Sequence, residues 1–303
     1  MKQNILYFFI LSLLIAGCTS TREKLYYSPK NSSSPEFSKH WFSGTAEIAV
    51  YEVQQSRYGN ARKGQAVLIT VSEPFAKAQV KADNPNTKSY DVLKTNLIKR
   101  YRTGIYDYSV MTSAFVPINV ELRQPVAKIT NSVQDWCGQA FVQANYMGEG
   151  YKATLHSYFQ GESDAQIEFK GSVLADEVYS QIRINPKQLP VGDIAFVASM
   201  ELYRYWHRPI KALEAKAKLV SKGDTTFYQI KTSDMLFEWS FSSSSPHTIY
   251  SWKEEVQDHD GGVNQALSSY AELKEVQQHA YWNKNGVGYE ALRNELGINF
   301  FEN

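Results

Sequence analysis

Two cysteines, Cys18 and Cys137, are too few for a disulfide-stapled scaffold or for a zinc site built from four thiolates. A surplus of either charge is also missing. The chain has 32 Lys and Arg against 31 Asp and Glu, a net charge of +1, so no basic excess recruits nucleic acid. No apolar run reaches the ~20 residues that a membrane-spanning helix needs. The sequence contains no HExxH pair, GxSxG elbow, P-loop or Rossmann glycine pattern, so the motif signatures of several large enzyme classes are withdrawn. No repeat of fixed period is present. What is present is a folding composition: 303 residues, 43% hydrophobic and 21% charged, enough to bury a large core. Twenty Tyr, 15 Phe and 6 Trp tilt it toward β-structure, where aromatic rings fit a pleated surface.

The N-terminus reads as an address. Lys2 precedes an apolar run from Ile5 to Ile15, broken only by Ser12, which has the length of a signal-peptide core. Leu14-Ile15-Ala16-Gly17-Cys18 has the form of a bacterial lipobox, so residues 1–17 are expected to be removed and Cys18 acylated. Several acyl chains make a durable anchor where one binds only marginally. Thr19 and Ser20 follow, with no Asp beside the cysteine. By resemblance to lipoprotein sorting in didermic bacteria, this implies the outer membrane, on its periplasmic or surface face. Residues 18–43, with NSSSP at 31–35, are expected to be the lipidated cysteine and a flexible tether. Residues 44–303 are expected to be one β-rich domain.

Within that domain, alternation at Ala46, Ile48 and Val50 and the β-branched run 66–71 predict a hairpin around Tyr58-Gly59-Asn60. Further strands are expected over 92–98, 105–116, 127–136, 141–147 and 153–159. A short helix is expected near Val178 and Ile182. Beyond it, strands are expected over 194–205, 210–220, 225–231, 235–241 and 248–256. Val263, Leu267, Tyr270, Leu273, Val276 and Ala280 recur every three or four residues, the stripe of an amphipathic helix. A shorter helix over 289–296 would be capped by Gly297. The expected fold is a β-rich α+β domain: an extensive curved antiparallel sheet with amphipathic C-terminal helices within 263–297.

GTAEIAVYEVQQSRYG at 44–59, AVLITVSEPF at 66–75, VLKTNLIKRYRTGIYDYSVMTSAF at 92–115, QDWCG at 134–138 and SYF at 157–159 accompany the lipobox. Together they resemble a family of Bacteroidota lipoproteins that carries no established activity. Some relatives bear the label of Maf-type nucleotide pyrophosphatases, whose motif pairs Ser-Pro with adjacent arginines. Here Ser34-Pro35-Glu36 lacks both arginines, so that activity is not carried over.

Candidate chemistry is sparse. Cys137 has no partner at a diagnostic spacing and reads as a small core residue rather than a nucleophile. Asp258, His259 and Asp260 form the densest polar cluster. They fail the calcium-loop spacing and read as an acidic cap at the start of the C-terminal helix. No metal or cofactor is implied. Two basic groups suit lipid headgroups, phosphates or glycans through charge and ring faces: Arg100 with Arg102, and Arg204, Trp206, His207 and Arg208. Lys94 shares strand parity with Arg100 and Arg102, whereas Lys99 points to the other face. The expected function is a non-enzymatic, outer-membrane-anchored binding or envelope-assembly factor, with an envelope protein, lipid or glycan as partner and an apolar ligand sheltered by the curved sheet. The alternative is a hydrolase of envelope glycans or esters.

Overall fold

The computed structural model describes residues 31–86, 88–162, 164–258 and 265–300. Strands β1 (Ala46–Arg57), β2 (Asn60–Ala76), β3 (Ser89–Thr103), β4 (Tyr106–Pro117), β5 (Lys128–Asp135), β6 (Gly138–Tyr146), β7 (Tyr151–Ser157) and β8 (Ala165–Phe169) form a continuous antiparallel meander. The chain then makes β9 (Val173–Leu174), helix α2 (Val178–Ile184), β10 (Gly192–Val197) and helix α3 (Met200–Trp206). A second meander follows: β11 (Leu213–Lys222), β12 (Thr225–Lys231), β13 (Met235–Ser242), β14 (Ile249–Asp258) and β15 (Gln265–His279). β15 pairs with β1, which joins both meanders into one 15-stranded sheet with β8 and β9 at its edges. Only the β9–β10 pair is parallel.

The two edges are linked by the short stretch from Phe169 to Val173, which spans at most ~14 Å. Edges fifteen strands apart meet that limit only if the sheet curls back on itself. It does so without closing. Residues of one parity then point into the hollow: Tyr51 and Val53 from β1, Leu68 from β2, Leu93 and Leu97 from β3, and Phe237 and Trp239 from β13. Helix α2 fills the hollow against β3 and β4, and α3 fills it against β4 and β5. Turn chemistry sets the hairpin registers. Tyr58 (φ 53°) and Gly59 (φ 71°) make a two-residue turn with both residues left-handed, the geometry that matches the strand twist. Gly64 faces β3 so closely that an added Cβ would lie 2.4 Å from the Arg100 carbonyl oxygen.

The expected sheet is present, and four expectations are corrected. The stripe assigned to a C-terminal helix is strand β15. Ala271 and Leu273 face inward opposite Val53 and Tyr51, and the register then slips at Lys274, so that Val276 faces Ala49. This bulge places Leu273 and Val276 three apart on one face. Tyr270, from the opposite face, completes a false helical period. Residues 200–205, expected as the end of a strand over 194–205, instead belong to α3, which follows β10. The Met200 N–H donates to the Asp176 carboxylate, 24 residues upstream, at 2.9 Å. Cys137 is exposed in the β5–β6 turn rather than in the core. The Asp135 side chain accepts from Cys137 N–H (2.6 Å) and Gly138 N–H (3.2 Å), and this holds the turn residues outward. Part of the expected tether folds as helix α1 (Pro35–Trp41), capped by Ser34 and docked through buried Phe37 and Trp41.

The shorter C-terminal helix is a single turn, α4 (Leu292–Glu295), with Gly297 at φ 66° just beyond it. The segment around it covers the convex face: Leu296, Ile298 and Phe300 pack on Ile48, Val50 and Val67. The Gln65 amide clasps it, donating to Gly297 O (2.7 Å) and accepting from Asn299 N–H (2.9 Å). Cys18 and residues 1–17 lie outside the described residues, as do His259 and Asp260. Asp258 is described only as the backbone end of β14.

Candidate functional site

The six candidate binding residues divide between the two faces of the sheet. Arg100 and Arg102 line an open convex groove of about 760 Å³, with Lys63, Asp107, Trp136 and Phe300 around them. Arg102 pairs with Asp107 at 3.0 Å. The Arg100 guanidinium lies 5.4 Å from the centre of the Phe300 ring. Arg204, His207 and Arg208 lie on the concave side, where they line a cavity of about 240 Å³ between α3 and strands β5–β8. Trp206 lies apart from that cavity and packs partly against the core.

The smaller cavity has apolar walls. Val142, Leu155 and Ile167 come from the sheet, and Met200 and Ile210 from the α3 region. Arg204 is set among them. The Arg204 side chain is 5% exposed, and its guanidinium stacks 4.0 Å over the Phe159 ring. Its closest carboxylate is Asp135, whose Oδ2 stands 3.9 Å from Nη2 while Oδ1 accepts from the two turn amides. Arg204 Nε and Nη1 have no hydrogen-bond partner. A buried donor left unmade costs about 1–3 kcal/mol, more for a charged group, so this is a poor arrangement unless something else completes it. The neighbouring polar side chains are taken. Asn131 donates to Thr112 (2.9 Å), His207 pairs with Glu162, and Arg208 pairs with Asp234 (2.9 Å).

Deeper in the hollow, the inward parity of Lys99 leads to a second polar group. Lys99 Nζ lies 2.5 Å from Glu201 on α3 and donates to Gln55 Oε1 at 3.3 Å. The Gln55 amide in turn donates to the Ser269 hydroxyl at 2.9 Å. Glu254 and Asp176 complete the cluster, which sets three carboxylates around one lysine. Burial pulls the Lys99 pKa down, but Glu201 and Glu254 more than offset this, and the ammonium is held above its ordinary range. Burial pushes Asp176 up to about 7, with Glu254 and Glu201 adding to it against the Met200 N–H. Burial also raises Glu254 to about 7 against the opposing pull of Lys99. Glu47 behaves oppositely. Its burial is outweighed by Arg183 and His40, which hold its carboxyl below the usual range.

Raised carboxyls are a familiar mark of acid–base sites. Asp176, Glu254 and Glu201, however, line neither the cavity nor the groove. They sit where α2 and α3 meet the sheet, and Asp176 fixes the first turn of the helix that carries Arg204. Cys137 also lines neither space. Sequence reading found Arg204, His207 and Arg208 as a basic-aromatic run. It missed Asp135, Phe159 and the carboxylates around Lys99, which come from distant segments. The parity of Lys99 set it on the face opposite Arg100 and Arg102, without saying which face was inner. Comparison with protein-family models, curated proteins and solved structures gives no match to this chain.

Proposed function

We propose that this chain is a non-enzymatic binding protein of the bacterial envelope, held to the outer membrane through acylated Cys18, that shelters the apolar part of a small anionic amphiphile. The observation that carries this reading is Arg204: a residue that lines the apolar cavity and whose buried guanidinium keeps two nitrogens, Nε and Nη1, without a hydrogen-bond partner. An anionic head accepting from Nε and Nη1 would add charge-assisted contacts that Asp135, placed 3.9 Å from Nη2, does not make to those two nitrogens. The walls formed by Val142, Leu155 and Ile167 would take the chain. At about 30 Å³ per water-sized unit, the cavity holds roughly eight such units, the scale of a medium-length acyl chain rather than a whole phospholipid.

The test compares octanoate with octanol by calorimetric titration of the chain from residue 19, which keeps every described residue. Octanoate is expected to bind about tenfold or more tightly, since a hydrogen bond to a charged group contributes about 1.5–3 kcal/mol. Arg204→Met is expected to abolish that preference while retaining octanol binding. Equal affinities in the wild type, or a preference unaffected by Arg204→Met, would remove the basis of the proposal. Acylation is tested separately: Cys18→Ser is expected to abolish incorporation of labelled palmitate into the protein.

A further inference from the structure

The meander brings the β1–β2, β3–β4, β5–β6 and β7–β8 turns to one end of the sheet, and each exposes a large apolar side chain. These are Tyr58 (55% exposed), Ile105 (84%), Trp136 (69%) and Tyr158 (54%). Hairpin tips are ordinarily polar, and a single exposed apolar residue needs no explanation, but four on consecutive tips form a surface. The rings around the tips form a contiguous row. The Tyr58 and Tyr108 hydroxyls are 2.8 Å apart, Tyr106 lies 5.9 Å from Tyr108 and 6.4 Å from Trp136, and the Tyr158 ring lies flush against Gly138. Tyr158 then contacts Phe159 at 4.1 Å, and Phe159 contacts His207 at 4.9 Å. Phe159 carries the Arg204 guanidinium, and His207 with Glu162 lines the apolar cavity. The row therefore ends at the candidate ligand site.

From this we infer that the four hairpin tips dock at the interface of a lipid bilayer, the surface across which the ligand of the Arg204 cavity enters and leaves. The inference rests on the reading of that cavity as an amphiphile site. Trp and Tyr, apolar in body with a polar tip, settle at the headgroup level of a membrane, and Ile105 supplies the aliphatic tip between them. Charge fits as well. The rim carboxylate Asp107 is paired with Arg102, and Glu162 and Asp164 contact His207 and His156, which carry charge only when protonated. Arg62 and Lys63, just beyond the Tyr58 turn, have no carboxylate partner among the described residues. These two cations are thus left for anionic headgroups. The opposite end of the same meander exposes aliphatic Val80, Leu122 and Met147 at its turns.

The experiment mixes the chain from residue 19 with vesicles of phosphatidylethanolamine and phosphatidylglycerol. It reads tryptophan emission, quenching by brominated acyl chains, and co-sedimentation. A blue shift with quenching is expected, and Trp136→Phe should remove most of both while leaving co-sedimentation in place. Ile105→Ser and Trp136→Ser should each weaken co-sedimentation about tenfold, the value of one large apolar side chain leaving water. These residues are exposed, so unchanged melting of both variants verifies folding. Val80→Ser with Leu122→Ser should leave binding as it was. Absence of co-sedimentation, or loss of it through the Val80 and Leu122 changes alone, would overturn the inference. Octanoate titration of the same tip variants separates the two ideas. If octanoate fails to bind the wild type while vesicles do, the cavity reading fails and rim docking stands without its stated purpose. If octanoate binds and vesicles do not, the rim inference fails alone.

Discussion

Replacing Asp176 with asparagine removes one negative charge from the cluster around Lys99 and leaves an oxygen to accept the Met200 N–H that starts α3. The carboxyl is raised by burial from 3.8 to about 7, so the folded chain holds this proton more tightly than the unfolded chain. Its contribution to stability is therefore complete below about pH 4 and is lost as pH rises through about 7. Between pH 5 and 7 the unfolded group is ionised and the folded one is largely not, which is close to one proton of difference. At 1.36 kcal/mol per pH unit this removes about 3 kcal/mol of wild-type stability that the asparagine variant does not lose. Glu254 shares part of this, because the two carboxylates repel each other and relieving one relaxes the other. Urea unfolding at pH 5, 6, 7 and 8 measures it. The variant should gain on the wild type by about 2–3 kcal/mol across that range, visible in melting as roughly 5–10 °C at 2–4 °C per kcal/mol. A difference that stays flat with pH, or a variant less stable than the wild type at pH 8, would refute the argument that these carboxyls are buried with excess negative charge.

Three further outcomes are expected. Arg183→Leu leaves Glu47 buried beside only His40 and removes the guanidinium stacked 5.0 Å over Trp41. The expected loss is about 3–5 kcal/mol in urea unfolding near neutral pH, smaller in acid where Glu47 takes up a proton, because a lowered carboxyl stabilises only above its unfolded value. Gly64→Ala forces a methyl group against the Arg100 carbonyl and should cost about 1–3 kcal/mol, read as a lowered urea midpoint with an unchanged slope. Gln65→Ala removes both hydrogen bonds that clasp the C-terminal segment. Amide exchange at Ile298 and Asn299 should quicken about tenfold, at 0.5–1.5 kcal/mol per bond, while global stability changes little.

Most of the sheet was legible in the sequence because alternation and turn residues are local properties. Ala46 to Val50, the Tyr58-Gly59 turn and the run 66–71 give the first hairpin without knowledge of anything distant. The same parity argument set Lys99 on the face opposite Lys94, Arg100 and Arg102, and the structure shows that this face is the inner one, where Lys99 meets buried Glu201.

Pairing across long sequence distances was not legible. The bulge at Lys274 lies in the pairing of β15 with distant β1, just beyond the stretch of β15 that pairs with β14, and in one dimension its three-residue step looks like a helix turn. Helix α3 starts where Asp176 accepts from Met200, a contact across 24 residues that the local propensity of 194–205 does not contain. The candidate site is divided for the same reason. Arg100 and Arg204 look alike as members of basic-aromatic runs, yet one lies on the convex face and the other among apolar walls. Local chemistry fixed which residues form strands and turns. The curl of a sheet whose two edges are joined by a few residues decided which charges became buried together, and so where Arg204 was left with two N–H groups unpartnered.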